Sequence, residues 1–412
     1  MKKVKNKAIY LIALCWLVYT CSYIGKLSYT ANIHQMGIRY GVDYSQTGMV
    51  STFFFFTYGA GQVINGLFCK KYNIKYFVFC SLLIGAITNF LIINVPDFSM
   101  MKYLWLVNGF AMSFLWVLII RCLAENLNKE ELSKATVIMG TTVATGTFIG
   151  YGLSALFVAF LSFEWTFYVA SMILIVVAFI WLFGYNAVTQ PSTCENAPES
   201  IKQGEKQTYI DKGAPLLPLF CVLAFFAISD NFIKDGLTSW TPDILSSLYH
   251  TPGWLSILLT LLLPILAING TIVATKIQKT TKDFVATCTL LFTVSTLLIG
   301  LVILFLSTSN LVITLVCFGM VSCLMAGVNN VITSMVPLYM KERVNSGKVA
   351  GILNGFCYLG STISSYGLGL IATSWGWISV FYVIIAVSLV MVIVGLFYTI
   401  FKNKTKRKIH LK

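Results

Sequence analysis

The chain has 412 residues, of which 57% are hydrophobic and only 11% charged, and its mean hydropathy is +0.81. That composition leaves too little polar surface to cover a water-soluble fold and places the protein in a bilayer. The formal net charge of +14 does not call for a nucleic-acid partner, because the basic residues cluster where a membrane topology needs them.

A membrane-spanning helix takes about 20 mostly apolar residues. Twelve such runs are predicted, at 8–33, 46–69, 74–94, 101–124, 133–160, 163–186, 214–248, 252–276, 283–306, 308–338, 346–373 and 376–401. On this topology 24 of the 29 basic residues fall at the termini or in loops on one side, in "CKKYNIK", "NKEELSK", "KQGEKQTYIDK", "TKIQKTTK", "KERVNSGK" and "KNKTKRKIHLK". Only Arg39 and Lys102 lie in loops on the other side. The positive-inside rule then predicts a multi-pass protein of the cell membrane with both termini cytoplasmic. The opening "MKKVKNK" before "AIYLIALCWLV" imitates a signal peptide but lacks a small-x-small cleavage site, so an uncleaved first helix is expected.

Lys26 sits deep in the first run, on a helical face with Tyr19, Ser22, Tyr23, Tyr29 and Thr30. It is a substrate-facing cation, a snorkelling side chain at the outer interface or half of a structural pair; a lysine at the bilayer centre costs about 2.5 to 3.5 kcal/mol on insertion scales, so it needs one of these roles. Span 2 adds Tyr58, Gln62 and Asn65, and span 4 adds Asn108. Arg121 and Glu125, four apart at the end of span 4, read as a gate or structural ion pair. In span 7 the polar face carries Asp230, Asn231, Lys234, Thr238 and Thr241; Asp230 and Lys234 are four apart, so they either neutralise each other, or Asp230 couples protons, or an anion displaces it. Asn329, Asn330, Asn354, Tyr358 and Ser361 extend the set. Glycines are dense in spans 2, 5 and 11, as close helix packing requires.

The polar stretch 187–213 marks a cytoplasmic linker between an N-terminal six-helix half, 1–186, and a C-terminal half with a basic tail, 214–412. The halves echo each other: "INGLF" from Ile64 recurs as "INGTI" from Ile268, "GYGLSAL" from Gly150 as "SYGLGLI" from Ser365, and Lys26 maps to Lys234 at an offset of 208. Six spans per half give both copies the same orientation. The expected fold is therefore all-α, with twelve transmembrane helices in two parallel-repeat halves and a substrate held where the repeats face each other. The eleven cysteines lack any CxxC pair, and the three histidines lie at span ends or in the tail, so neither a disulfide framework nor a metal site is expected. No phosphate-cradling loop or nucleophile and base pattern is visible. We expect a non-enzyme with no cofactor, working as a monomer.

On the segments "SYIGKLSYTANI", "TYGAGQVINGLFCKKYN", "WVLIIRCLAENLNKEELSKATVIMG", "NFIKDGLTSWTPDIL" and "GILNGFCYLGSTISSYGLGLIATSWGW" the chain resembles the major facilitator superfamily, and within it the organophosphate:phosphate antiporters of glycerol-3-phosphate and hexose phosphates. The resemblance implies a rocker-switch carrier in which one basic residue from each of spans 1 and 7 grips the substrate phosphate. Those positions match Lys26 and Lys234, where the family usually has arginine. A family lysine in span 2 matches Gln62, a histidine in span 5 falls near Gly146, and the loop reading "GLFCKKYN" has Lys70 where the superfamily's aspartate stands. Lysine is a compact point charge without arginine's bidentate fork. The expected function is thus transport of a small organic anion, a sugar phosphate, phosphonate or carboxylate, exchanged for inorganic phosphate, with Lys26 and Lys234 binding the anion and Tyr23, Tyr58, Gln62, Asn231 and Tyr358 hydrogen-bonding the remainder. Proton-coupled carboxylate symport through Asp230, and a transporter-like sugar-phosphate sensor, are the competing readings.

Overall fold

The computed structural model describes residues 2–68, 71–189, 216–306, 310–340 and 346–410. Lys70, residues 341–345 and all but the first residues of the expected linker lie outside them. The described chain is helical throughout: α1 (Lys2–Ala31), α2 (Ile33–Tyr40), α3 (Tyr44–Phe68), α4 (Ile74–Asn94), α5 (Phe98–Asn126), α6 (Lys129–Met139), α7 (Thr142–Phe160), α8 (Glu164–Val188), α9 (Leu216–Tyr249), α10 (Gly253–Thr260), α11 (Leu262–Ala267), α12 (Gly270–Thr281), α13 (Phe284–Leu306), α14 (Leu311–Asn330), α15 (Val336–Met340) and α16 (Ser346–His410). Large apolar side chains on their outer faces, such as Phe160, Phe183, Leu304 and Trp375, are exposed. Exposure on this scale fits hydrocarbon and not water. Nine stretches among the described residues are long and apolar enough to cross a membrane, and one of them, Val349–Lys402, contains two spans. α3 and α9, each of which carries several polar residues of the candidate site, are the remaining two.

Local chemistry sets the boundaries. Asn73, Asp97 and Asn310 each accept a backbone N–H at the start of α4, α5 and α14, and Asn128 with Glu131 forms a reciprocal capping box on α6. The fifth expected span is two helices, broken at Gly140 and Thr141, where the hydroxyls of Thr141 and Thr142 turn back to the carbonyls of Ile138 and Met139 at 2.8 and 2.6 Å. The eighth is three pieces. Pro264 lacks an N–H and its ring crowds the carbonyl of Thr260, where α10 ends. Pro337 acts likewise on Thr333, and the five residues Val331–Met335 before it widen into a π turn that joins α14 to α15.

The last two spans are two helices within α16 that meet at a kink, Gly376, whose φ of 78° and ψ of 169° no other residue adopts without strain. Nothing lies within 4 Å of a Cβ placed there, so the backbone alone imposes the requirement. Gly376→Ala is expected to lower the stability of the detergent-solubilised protein by about 1 to 3 kcal/mol, read as a fall in melting temperature.

The helices divide into two compact units, 1–42, 49–204 and 252–261 in the first and 43–48, 205–251 and 262–412 in the second. The units are therefore not the two uninterrupted halves expected from the sequence. Each contains a short segment from the other half, and the two segments begin 209 residues apart, at Asp43 and Pro252. Each follows a left-handed residue at the same offset, Gly41 with φ 61° and His250 with φ 52°.

Within the first unit α1 packs on α7 and α8, and α4 on α5 and α8. Asn89 ties α4 to α1 by donating to the Gly25 carbonyl at 3.1 Å and accepting from Ser28 at 2.6 Å, and Ser154 of α7 donates to Asn32 at 2.9 Å. Interhelical bonds of this kind hold helices together where lipid removes the hydrophobic drive. The guest segment joins through Ile257 and Leu261, buried among Ala31, Tyr151 and Ala155. Within the second unit α9 packs on α14 and α16, and α13 on α14 and α16. Its guest segment brings Tyr44 against Trp377 at 4.9 Å and Trp240 at 6.1 Å, with its hydroxyl 3.0 Å from Ser247.

Candidate functional site

Each unit encloses one lysine of the predicted pair, and their surroundings differ. Lys26 of α1 is 6% exposed. Its ammonium lies over the rings of Tyr23, Tyr19 and Tyr58 at 4.6, 4.8 and 5.0 Å from their centroids, and it donates to the Tyr58 hydroxyl at 3.4 Å. No carboxylate pairs with it among the described residues. Three π faces supply part of what water would, yet none of them carries a counter-charge. The cage is itself held: Tyr19 packs tilted against Trp116 of α5 at 4.6 Å, and Tyr58 stacks on Phe54 at 5.7 Å.

Gln62, one turn beyond Tyr58, donates to the Ser113 carbonyl of α5 at 3.0 Å, and Asn65 donates to the Ser113 hydroxyl at 3.1 Å. Both thus lock α3 to α5, where Gly61 lets the helices meet against Ser113. Of the stripe expected around Lys26, Ser22 turns back to the Tyr19 carbonyl and Tyr29 packs on Trp105 in the core. Position 146, where the resemblance would place a histidine, has no room for one: a Cβ there lies 2.5 Å from the Thr20 carbonyl and 2.6 Å from the Tyr23 side chain.

In the second unit Lys234, half-buried, donates to Asn231 Oδ1 at 2.9 Å and pairs with Asp235 at 3.6 Å. Asn231 donates to the Ser361 hydroxyl at 3.1 Å, and that hydroxyl donates to Asp235 at 2.5 Å. The expected ion-pair partner, Asp230, is not the one found within 4 Å. Its Oδ2 accepts instead from Asn329 of α14 at 3.1 Å. Thr238 and Thr241 bond back to the carbonyls of Lys234 and Leu237, so their hydroxyls are turned onto α9 itself. Tyr358 is half-buried on α16, one turn before Ser361. Asp235 is the residue that sequence reading missed. Its signal was present: at the offset of 208, Lys26 is followed by Leu27, whereas Lys234 is followed by Asp235.

Arg121 bonds Glu125 through Nε at 2.6 Å and the Tyr72 carbonyl through a terminal nitrogen at 3.0 Å. It thereby links the end of α5 to the segment before α4.

The two lysines thus stand in different states, one buried in an aromatic cage without a counter-ion among the described residues, the other neutralised and surrounded by amides and hydroxyls. Among the described residues no group of three or more His, Cys, Asp and Glu side chains is placed to hold a metal.

Comparison with known proteins gives four matches. The profile of the Major Facilitator Superfamily matches residues 15–346. The membrane sensor protein UhpC of Escherichia coli (strain K12) is 25% identical over 101 residues, a stretch covering 24% of this chain and 23% of that protein. Among solved structures, a bacterial homolog of the human lysosomal transporter Spinster, inward-facing and occupied, has a TM-score of 0.74 at 12% identity, with 96% of each chain covered. The nucleoside transporter NupG, solved as a point mutant, has a TM-score of 0.68 at 15% identity, covering 95% of this chain and 99% of that one.

Proposed function

Because the chain belongs to the Major Facilitator Superfamily, a multi-pass membrane transporter family and not an enzyme family, we propose that it carries a small organic anion by alternating access. The substrate class is a phosphorylated metabolite such as a sugar phosphate or glycerol phosphate, exchanged for inorganic phosphate. The observation that carries this reading is the caged ammonium of Lys26. A buried cation with no counter-ion among the described residues is costly to keep, and an anion removes that cost; the ring faces hold it in place without competing for it as a carboxylate would. Lys234, with Asp235 already at hand, supplies the second and weaker attraction. Tyr23, Tyr58, Gln62, Asn231 and Tyr358 supply hydrogen bonds to the rest of the substrate. Lysines at both positions give the carrier less geometric preference for a phosphate dianion than arginines would.

The short similarity to a membrane sensor supports a second reading, in which occupation of the same site is reported and not transported. Both readings require anion binding. With a hexose phosphate, glycerol phosphate, inorganic phosphate and uncharged sugars and glycerol as the panel, phosphate-bearing compounds are expected to raise the melting temperature and their neutral counterparts to leave it unchanged. A ligand at 100 times its dissociation constant stabilises the folded state by about 2.7 kcal/mol. Equal stabilisation by the neutral compounds would remove the anion reading.

A further inference from the structure

Asp230 is the buried group that anion binding leaves without a role. Its side chain is 0% exposed in α9, and only one of its oxygens has a partner. Oδ2 accepts from Asn329, while Oδ1 is buried with no hydrogen-bond partner among the described residues. An ionised carboxylate that accepts one bond from a neutral amide is poorly compensated, and a neutral carboxylic acid costs far less to bury there.

The local charges lead to the same place. Two carboxylates, Asp230 and Asp235, share one lysine, and Lys234 is paired with Asp235, which also accepts from Ser361. The other groups around Asp230 are Asn329 from α14, the Cys357 thiol from α16, 3.5 Å from the Asn329 amide, and the Cys288 thiol from α13. Apart from Lys234 none is a cation. Lys234 stands four residues after Asp230, on the same helix face, so Asp230 is its alternative partner.

We propose that Asp230 is a proton-carrying site governed by where Lys234 points. With Lys234 on Asp235, Asp230 holds a proton and is neutral. When Lys234 turns to Asp230, the acid's O–H bond breaks, the proton leaves to water, and the carboxylate and ammonium pair; Asp235 keeps its bond from Ser361. An anion that draws Lys234 away from both carboxylates favours the protonated form, so anion and proton bind together, each strengthening the other. That last link rests on the anion reading above; the proton site does not.

The test therefore uses no substrate. Infrared spectra of the full chain in lipid vesicles at neutral pH are compared for the wild type, Asp230→Asn and Asp235→Asn, reading the C=O stretch of protonated carboxylic acids. The wild type is expected to show a band that Asp230→Asn abolishes. Asp235→Asn leaves Lys234 only Asp230 to pair with and is expected to abolish it too, although Asp230 itself is intact; a merely structural Asp230 would not respond. A band that survives Asp230→Asn, or a wild-type band left unchanged by Asp235→Asn, overturns the proposal. Should Asp230→Asn fail to fold, Asp235→Asn decides alone.

Discussion

Replacing Lys26 with alanine is expected to lower anion uptake by about 100-fold, within the 2 to 5 kcal/mol that truncating one partner of a buried, hydrogen-bonded charge pair costs. The same change is expected to leave the melting temperature of the ligand-free protein unaltered or to raise it. Lys26 has no carboxylate partner among the described residues, so its removal leaves no orphaned charge behind; it takes away a buried cation and leaves three tyrosine rings to close on the gap. Opposite effects on activity and stability are the mark of a group kept for binding. Lys26→Arg makes a finer distinction. A guanidinium stacks on tyrosine faces and offers a bidentate fork, so the variant is expected to remain active and to prefer phosphate over carboxylate more strongly than the wild type. A Lys26→Ala protein that melts early and transports nothing would instead assign the lysine to the fold.

The largest effect on the fold is expected at Gly360. A Cβ there runs into the backbone of α9, 2.8 Å from the Ile228 carbonyl carbon and 2.9 Å from the Phe232 nitrogen, and main chain does not step aside as a flexible side chain does. Gly360→Val is expected to cost about 1 to 3 kcal/mol or more by overpacking. It also pushes on the helix turn carrying Asp230 and Asn231, so anion-dependent stabilisation falls with it. Gly351 and Gly367 lie on the same helix with nothing within 4 Å of an added Cβ, and alanine at either is expected to be tolerated. Melting temperatures of the three variants make the comparison.

These two residues show where the sequence is informative and where it stops. Apolar runs of about 20 residues define spans almost regardless of neighbours, because lipid forces every backbone group to be satisfied within its own helix. The twelve-helix architecture follows from that constraint, and a lysine in such a run is conspicuous for the same reason. Packing is not legible in this way. Glycines 351, 360 and 367 look alike in the sequence, and only the neighbouring helix separates the one that matters.

The candidate site divides similarly. Periodicity put Tyr23 and Tyr29 on one stripe with Lys26, yet only Tyr23 meets the ammonium. Side chains on a helix lean towards its N-terminus, so Lys26 reaches back over Tyr23 and Tyr19, while Tyr29 goes to Trp105. For Lys234 the four-residue spacing singled out Asp230. Adjacent helical residues do not ordinarily face each other, and so Asp235 was passed over; Ser361 of α16 holds its carboxylate where the lysine reaches it. The segments each unit takes from the other half depend on contacts between helices far apart in sequence, and nothing local announces them.

Counterflow decides whether this chain moves anions across a membrane by exchange. Vesicles containing the purified protein and loaded with unlabelled phosphate are placed in a trace of labelled phosphate. Transient accumulation of label inside, dependent on the internal phosphate and absent in Lys26→Ala vesicles, is the predicted result. Saturable phosphate binding by the wild type with no accumulation of label would contradict transport and leave a sensor, and accumulation undiminished in Lys26→Ala would contradict the site.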